Sequence, residues 1–179
     1  MQDFHPRSNS PDDDSPDSNR IDSYSPELPN FHRINERLFR GGQPSRKGLE
    51  SLRSGGIKTV INLREETTSI EAESIICRTI GIDFISIPLR PFAVPDTDNL
   101  LAFLNVTETI EKQPCFVHCL HGMDRTGLMV ALYRLRVEDW EYDDAYREML
   151  SLGFHEGFTN LTSPLMELAR RWNKLPQQK

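Results

Sequence analysis

The sequence has no long apolar run, no even set of cysteines and no excess of positive charge. No stretch approaches the roughly 20 apolar residues that a membrane helix needs, so integral membrane association is not expected. The first residues, Met1-Gln2-Asp3-Phe4-His5-Pro6, hold no basic stretch followed by an apolar one, and do not read as a secretory signal. Cysteine occurs three times, at Cys77, Cys115 and Cys119. An odd count with no signal points to reduced thiols and a cytoplasmic protein rather than a disulfide framework. The formal net charge is −6 and the isoelectric point about 5.4, which argues against nucleic acid as a partner. Any anion-binding site must therefore rest on local positive charge.

What is present is unevenly spread. Residues 1–30 carry seven acids against two arginines and almost no aliphatic side chains. Such a segment buries too little to offset the entropy of ordering, and is expected to be a disordered acidic Ser/Asp/Pro-rich tail. Its Ser-Pro pairs, at 10–11, 15–16 and 25–26, are read as linker composition, with proline-directed phosphorylation the sharper alternative. Residues 31–175 are expected to form one domain.

Within that domain, apolar β-branched runs alternate with helical patterns. A strand or hairpin is expected over 34–39, closed by Arg40-Gly41-Gly42. Further strands are expected over 57–63, 82–87 and 115–118. Helices are expected over 44–54, 69–80, about 97–110, 142–152 and 164–172, and one after residue 118 carrying Leu128, Met129, Leu132 and Leu135. Strands alternating with helices imply right-handed crossovers, and hence an α/β fold with a largely parallel sheet of about four to five strands flanked by helices. In such a sheet ligands bind beyond the C-terminal strand ends. Arg64, Arg90 and the Cys119–Arg125 segment each follow a strand, which brings three arginines to that edge.

The stretch His118-Cys119-Leu120-His121-Gly122-Met123-Asp124-Arg125-Thr126-Gly127 lies between an apolar strand and an apolar helix. A strand–loop–helix turn aims backbone N–H groups into the loop, and the helix N-terminus adds partial positive charge. Gly122 permits the positive φ that curls such a loop. Arg125 can fork two hydrogen bonds to two phosphate oxygens. The same field favours the thiolate of Cys119, a good nucleophile and leaving group suited to a phosphocysteine intermediate. Leu120, His121, Gly122 and Met123 would line the bound phosphate, Thr126 would stabilise the departing sulfur, and His118 would order the loop as structural support. An inert buried Cys119 is the bland alternative, and the fitting Gly, Arg and Thr offsets speak against it. A zinc site at Cys115, His118, Cys119 and His121 lacks a second clear ligand pair. A Cys115–Cys119 disulfide is excluded in an extended strand. Four residues at about 3.3 Å each span about 13 Å, against a limit near 7 Å.

The His-Cys-x-x-Gly-x-x-Arg-Thr-Gly pattern, a CX5R signature, resembles that of the protein tyrosine and dual-specificity phosphatase superfamily. Arg40-Gly41-Gly42-Gln43-Pro44-Ser45 and Val60-Ile61-Asn62-Leu63-Arg64 are similar to its atypical branch in bacteria, plants and fungi. The resemblance covers about residues 34–150. It implies a dual-specificity-phosphatase-like fold, hydrolysis of phosphate monoesters without metal or cofactor, Cys119 as nucleophile and Arg125 as phosphate clamp. It also implies a general acid. Asp96, in a loop similar to the movable acid loop of dual-specificity relatives, is preferred, with Asp98 as its neighbour. Asp124 resembles an in-loop acid of relatives that act on phosphoinositides. Either carboxylate has a plainer use: Asp96 or Asp98 as a helix cap, Asp124 in an ion pair. Arg64, Arg90 and His121 would suit polyanionic substrates such as inositol phosphates or phosphoinositides; phosphotyrosine and phosphoserine/threonine proteins are the other candidates. The alternatives from other classes are a phosphate-binding module without turnover, and a redox or arsenate-reductase-like enzyme with Cys77 as resolving thiol.

Overall fold

The computed structural model describes residues 25–176. Its elements run β1 (His32–Arg33), β2 (Leu38–Gly41), α1 (Arg46–Ser54), β3 (Thr59–Asn62), α2 (Thr67–Ile80), β4 (Asp83–Ser86), α3 (Thr97–Glu108), β5 (Cys115–His118), α4 (Asp124–Arg136), α5 (Tyr142–Ser151) and α6 (Thr159–Arg171). The sheet order is β1-β2-β5-β3-β4. β2, β5, β3 and β4 are parallel, and β1 is an antiparallel edge. This is the expected α/β class, with five strands.

Local chemistry sets the boundaries. Ser45 caps α1, its Oγ accepting from the Gly48 N–H at 3.1 Å. Gly81 ends α2 in the left-handed conformation, φ 76°. In β3 and β5 every residue is buried, as central strands covered on both faces require. Alternation sorts their side chains between two cores. Leu38, Ile61 and Val117 meet α3, α4, α5 and α6, whereas Val60 and Phe116 meet α1 and α2. Burying each large apolar side chain contributes about 1.5–3 kcal/mol. Helix α4 is buried without a break from Arg125 to Leu135, so it forms the middle of the first core.

Three expectations shift. The hairpin forms, but its second strand runs through Arg40 and Gly41 instead of ending before them. Asn35 turns the chain, its Oδ1 accepting from the N–H groups of Arg37 and Leu38. The last helix starts at Thr159 rather than Pro164, which lies inside it. Order also begins before residue 31. Leu28 is buried in the core of Phe31, Leu49 and Phe116, and the Ser45 N–H donates to the Glu27 carbonyl at 3.0 Å. Residues 25–30 thus belong to the domain rather than to the expected disordered tail. One aliphatic side chain among two prolines and polar residues gave no periodic signal. The rest of that expected tail, residues 1–24, lies outside the described residues. Among the described residues no helix is long and apolar enough to cross a membrane.

Candidate active site

Because four strands are parallel, their C-terminal ends share one edge, and the Cys119–Asp124 loop leaves β5 at its centre. The loop's backbone is sorted by polarity. Its carbonyls are satisfied from behind: Leu120 O accepts from Gln43 N at 3.0 Å, Gly122 O from Asn30 Nδ2 at 3.0 Å and from Arg40, and Met123 O from Gly127 N at 2.8 Å. The N–H groups of Leu120 to Arg125 donate to no acceptor among the described residues. A run of free donors at the N-terminus of a buried helix is an arrangement suited to an anion. Gly122 has φ +73°, and a Cβ there would lie 2.4 Å from the Gly41 carbonyl carbon. The glycines of β2 and of the loop therefore pack backbone against backbone.

Cys119 and Arg125 are nearly buried, 3% and 8% exposed. Arg125 is anchored at one nitrogen only: among the described residues, Nη1 donates to Leu89 O at 3.1 Å and to Leu63 O at 3.5 Å. Nε and Nη2 stay open for a ligand. The Thr126 hydroxyl is buried and has no partner among the described residues.

The other expected residues distribute unequally. Arg64 is tied down, donating from Nη1 to Gln43 Oε1 at 2.8 Å and from Nε to Glu66 Oε2 at 3.0 Å. That hydrogen bond, helped by the Arg64 and Arg125 charges, holds the Glu66 carboxyl below its usual range. Arg90 is exposed and lines a cavity of about 530 Å³ with Glu65, Leu89, Asp96 and Asn99. Leu120, His121 and Met123 open instead onto a second cavity of about 620 Å³, closed by Leu28, Phe31 and their neighbours. These two cavities share no lining residue.

The carboxylates are told apart by their partners. Asp96 occupies the N-cap position of α3, yet its side chain makes no cap hydrogen bond. Asp98 sits in the first turn of α3. The Asp124 carboxylate is engaged: it accepts from His155 N at 2.9 Å and pairs with the His155 ring at 3.0 Å. Asp124 thus latches the loop to the α5–α6 connection.

Sequence reasoning missed the network behind the loop. Glu73, on α2, is the one buried carboxylate among the described residues. Its Oε1 lies 2.8 Å from His118 Nε2, and its Oε2 accepts from Gln43 Nε2 at 2.6 Å and Asn62 Nδ2 at 2.9 Å. His118 Nδ1 faces the Cys119 carbonyl at 3.1 Å. Gln43 in turn carries Arg64 and the Leu120 carbonyl. One carboxylate therefore braces both the loop and an arginine beside it. The Gln43 in Arg40-Gly41-Gly42-Gln43 was the only available signal for it.

Cys77 and Cys115 are free and buried, and burial pushes both thiols up to about 12. Cys77 belongs to the core under α1 and α2, whereas Cys119 belongs to the core on the other side of the sheet. The sheet separates them, so Cys77 is not placed to resolve an oxidised Cys119.

A family model described as a DSP-PTPase phosphatase fused to NAD+ kinase matches residues 19–160. The dual specificity protein phosphatase TpbA of Pseudomonas aeruginosa is 29% identical over 126 residues, 70% of this chain and 55% of the relative. Inositol diphosphatase DSP5 of Arabidopsis thaliana is 25% identical over 118 residues, 63% of this chain and 56% of the relative. The chain thus spans about half the length of these curated relatives. Among solved structures, P. aeruginosa TpbA aligns with a TM-score of 0.67 at 22% identity, covering 84% of this chain and 94% of that one. The core catalytic domain of the PP-IP phosphatase SIW14 from S. cerevisiae aligns with a TM-score of 0.65 at 19% identity, covering 85% and 98%.

Proposed function

Since the chain belongs to the family described as a DSP-PTPase phosphatase fused to NAD+ kinase, we propose that it is a cysteine-dependent phosphatase hydrolysing phosphate monoesters. The observation that carries this reading is the unbroken run of free N–H donors from Leu120 to Arg125, beside a buried cysteine and a half-anchored guanidinium. The phosphate dianion sits in that run, clamped by the open side of Arg125. The Cys119 thiolate attacks phosphorus while the leaving oxygen takes a proton from a carboxylic acid. The carboxylate so formed then takes a proton from water, whose oxygen attacks the phosphocysteine. Inorganic phosphate leaves with the new oxygen, and the sulfur departs as thiolate, stabilised by the Thr126 hydroxyl. A thiol used this way needs a reducing compartment, which favours the cytoplasm.

We assign the acid to Asp96, because its carboxylate is uncommitted while that of Asp124 is held by His155. Asp96→Asn should lower kcat for an alkyl phosphate by about 10²–10⁴-fold. It should also remove the fall in rate at high pH, since that fall reports loss of the acid's proton. Asp124→Asn should retain the high-pH limb. The reverse pattern would move the acid to Asp124, and an unchanged limb in both variants would leave neither assignment standing.

The substrate is a phosphorylated protein side chain or an inositol phosphate. The exposed Arg90 and His121 favour several phosphates on one ring, and the exposed Leu120, Phe92 and Val94 favour a peptide. A turnover panel of phosphopeptides against inositol phosphates, pyrophosphorylated ones included, separates them. Higher kcat/KM for the inositol compounds is expected to fall in Arg90→Ala, whereas a peptide preference should survive it. No vanadate-sensitive turnover of any member would leave a phosphate-binding module as the remaining reading.

A further inference from the structure

We propose that Arg40 is the counter-ion of the Cys119 thiolate, a buried positioning residue that acts through the nucleophile from beneath the loop. The inference rests on the phosphatase reading of Cys119. β2 runs parallel beside β5, with Arg40 opposite Val117 and Gly41 opposite His118. Leu38 and Val117 point into the first core, so alternation sends Arg40 to the face that also holds Cys119. There it is fully buried. Its Nη2 donates to the Gly122 carbonyl in the phosphate loop. Its Nε and Nη1 are buried and find no acceptor among the described residues.

A buried guanidinium is costly unless an opposite charge compensates it. The charged and titratable groups facing Arg40 are His32 on β1, Arg134 on α4, Glu148 on α5 and Cys119 itself. His32 and Arg134 cannot help, because neither carries negative charge. Glu148 is already taken, holding Arg134 through its Nε at 2.9 Å and again through its Nη2. Among the described residues Arg40 makes no ion pair with a carboxylate. Cys119 is then the anion left to it. Burial lowers the Arg40 guanidinium to about 10, and Cys119 is the strongest of the groups opposing that fall. In general a guanidinium near a thiolate favours the charged form of both groups.

The test reads the thiolate directly and needs no turnover. Alkylation of the full chain by iodoacetamide is followed by mass spectrometry at pH 6 and pH 9.5, since only a thiolate reacts. Cys77 and Cys115, pushed up to about 12 by burial, should stay unlabelled in the folded protein. Arg40→Gln keeps an N–H for the Gly122 carbonyl but loses the charge. It is expected to react at Cys119 about tenfold more slowly than wild type at pH 6, and at an equal rate at pH 9.5. Arg40→Lys should recover most of the pH 6 rate. Equal pH 6 rates in wild type and Arg40→Gln would overturn the proposal, as would a loss of equal size at both pH values, which marks a structural role. If Arg40→Gln does not fold, Arg40→Lys decides: a tenfold loss at pH 6 with the charge intact overturns it. Failure of the phosphatase reading looks different, because wild-type Cys119 would then itself be slow at pH 6.

Discussion

Cys119→Ser is expected to lower turnover of an aryl phosphate by at least about 10⁴-fold while leaving inorganic phosphate binding intact. A serine hydroxyl is not ionised at neutral pH, and as an alkoxide it is a poor leaving group, so both covalent steps are lost. The binding machinery is separate from the sulfur. On the phosphatase reading it consists of the N–H groups from Leu120 to Arg125 and the Arg125 guanidinium, which the Leu63 and Leu89 carbonyls hold in place from the segments after β3 and β4. An aryl phosphate is the right probe, because its good leaving group makes the rate insensitive to the acid and isolates the nucleophile. Phosphate affinity is read by calorimetry on the same variant. Turnover that survived the substitution would remove Cys119 from the mechanism. Loss of both turnover and phosphate binding would mean that the sulfur shapes the loop rather than attacks from it.

Gly122→Ala should be strongly destabilising. Two penalties coincide at this position. A φ of +73° costs an alanine about 1–2 kcal/mol, and its Cβ would stand 2.4 Å from the Gly41 carbonyl carbon and 2.5 Å from Gly42 N. Both obstacles are backbone, so no rotamer relieves them. A loss of about 3 kcal/mol or more is expected, seen as a melting point lower by about 6–12 °C. Turnover should fall by at least about 10²-fold, since the donors shift relative to the bound phosphate. Gly56→Ala is the control. Its φ is +88°, but a Cβ there meets nothing within 4 Å, so it carries the conformational penalty alone. Equal melting points for the two variants would refute the backbone contact between loop and β2.

Much of this was readable from residue order. The alternation of apolar runs gave the parallel sheet, and the Cys119–Arg125 segment pointed to the candidate site, because both readings use residues close in the chain. What escaped depends on contacts between distant segments. Glu73 occupies a helix rich in exposed polar residues, where an acid ordinarily faces water, and only the packing of α2 on the sheet turns it inward. Arg40 looked like the close of a strand, and its burial follows from β2 running beside β5. Asp124 could be weighed against Asp96 only once His155, 31 residues away, was found on it. The start of order at residues 25–30 rested on Leu28, too isolated to form a pattern.

The carboxylate of Glu73 reaches the loop from a helix on the opposite side of the sheet. Each time α2 detaches, His118, Asn62 and Gln43 lose a shared acceptor together, although nothing at the mouth of the site has changed. On the phosphatase reading, local opening of this helix would therefore lower the fraction of molecules competent for chemistry. Amide exchange along residues 67–80 measures that opening, and a ligand or partner that clamps this outer helix would act on the reaction from behind.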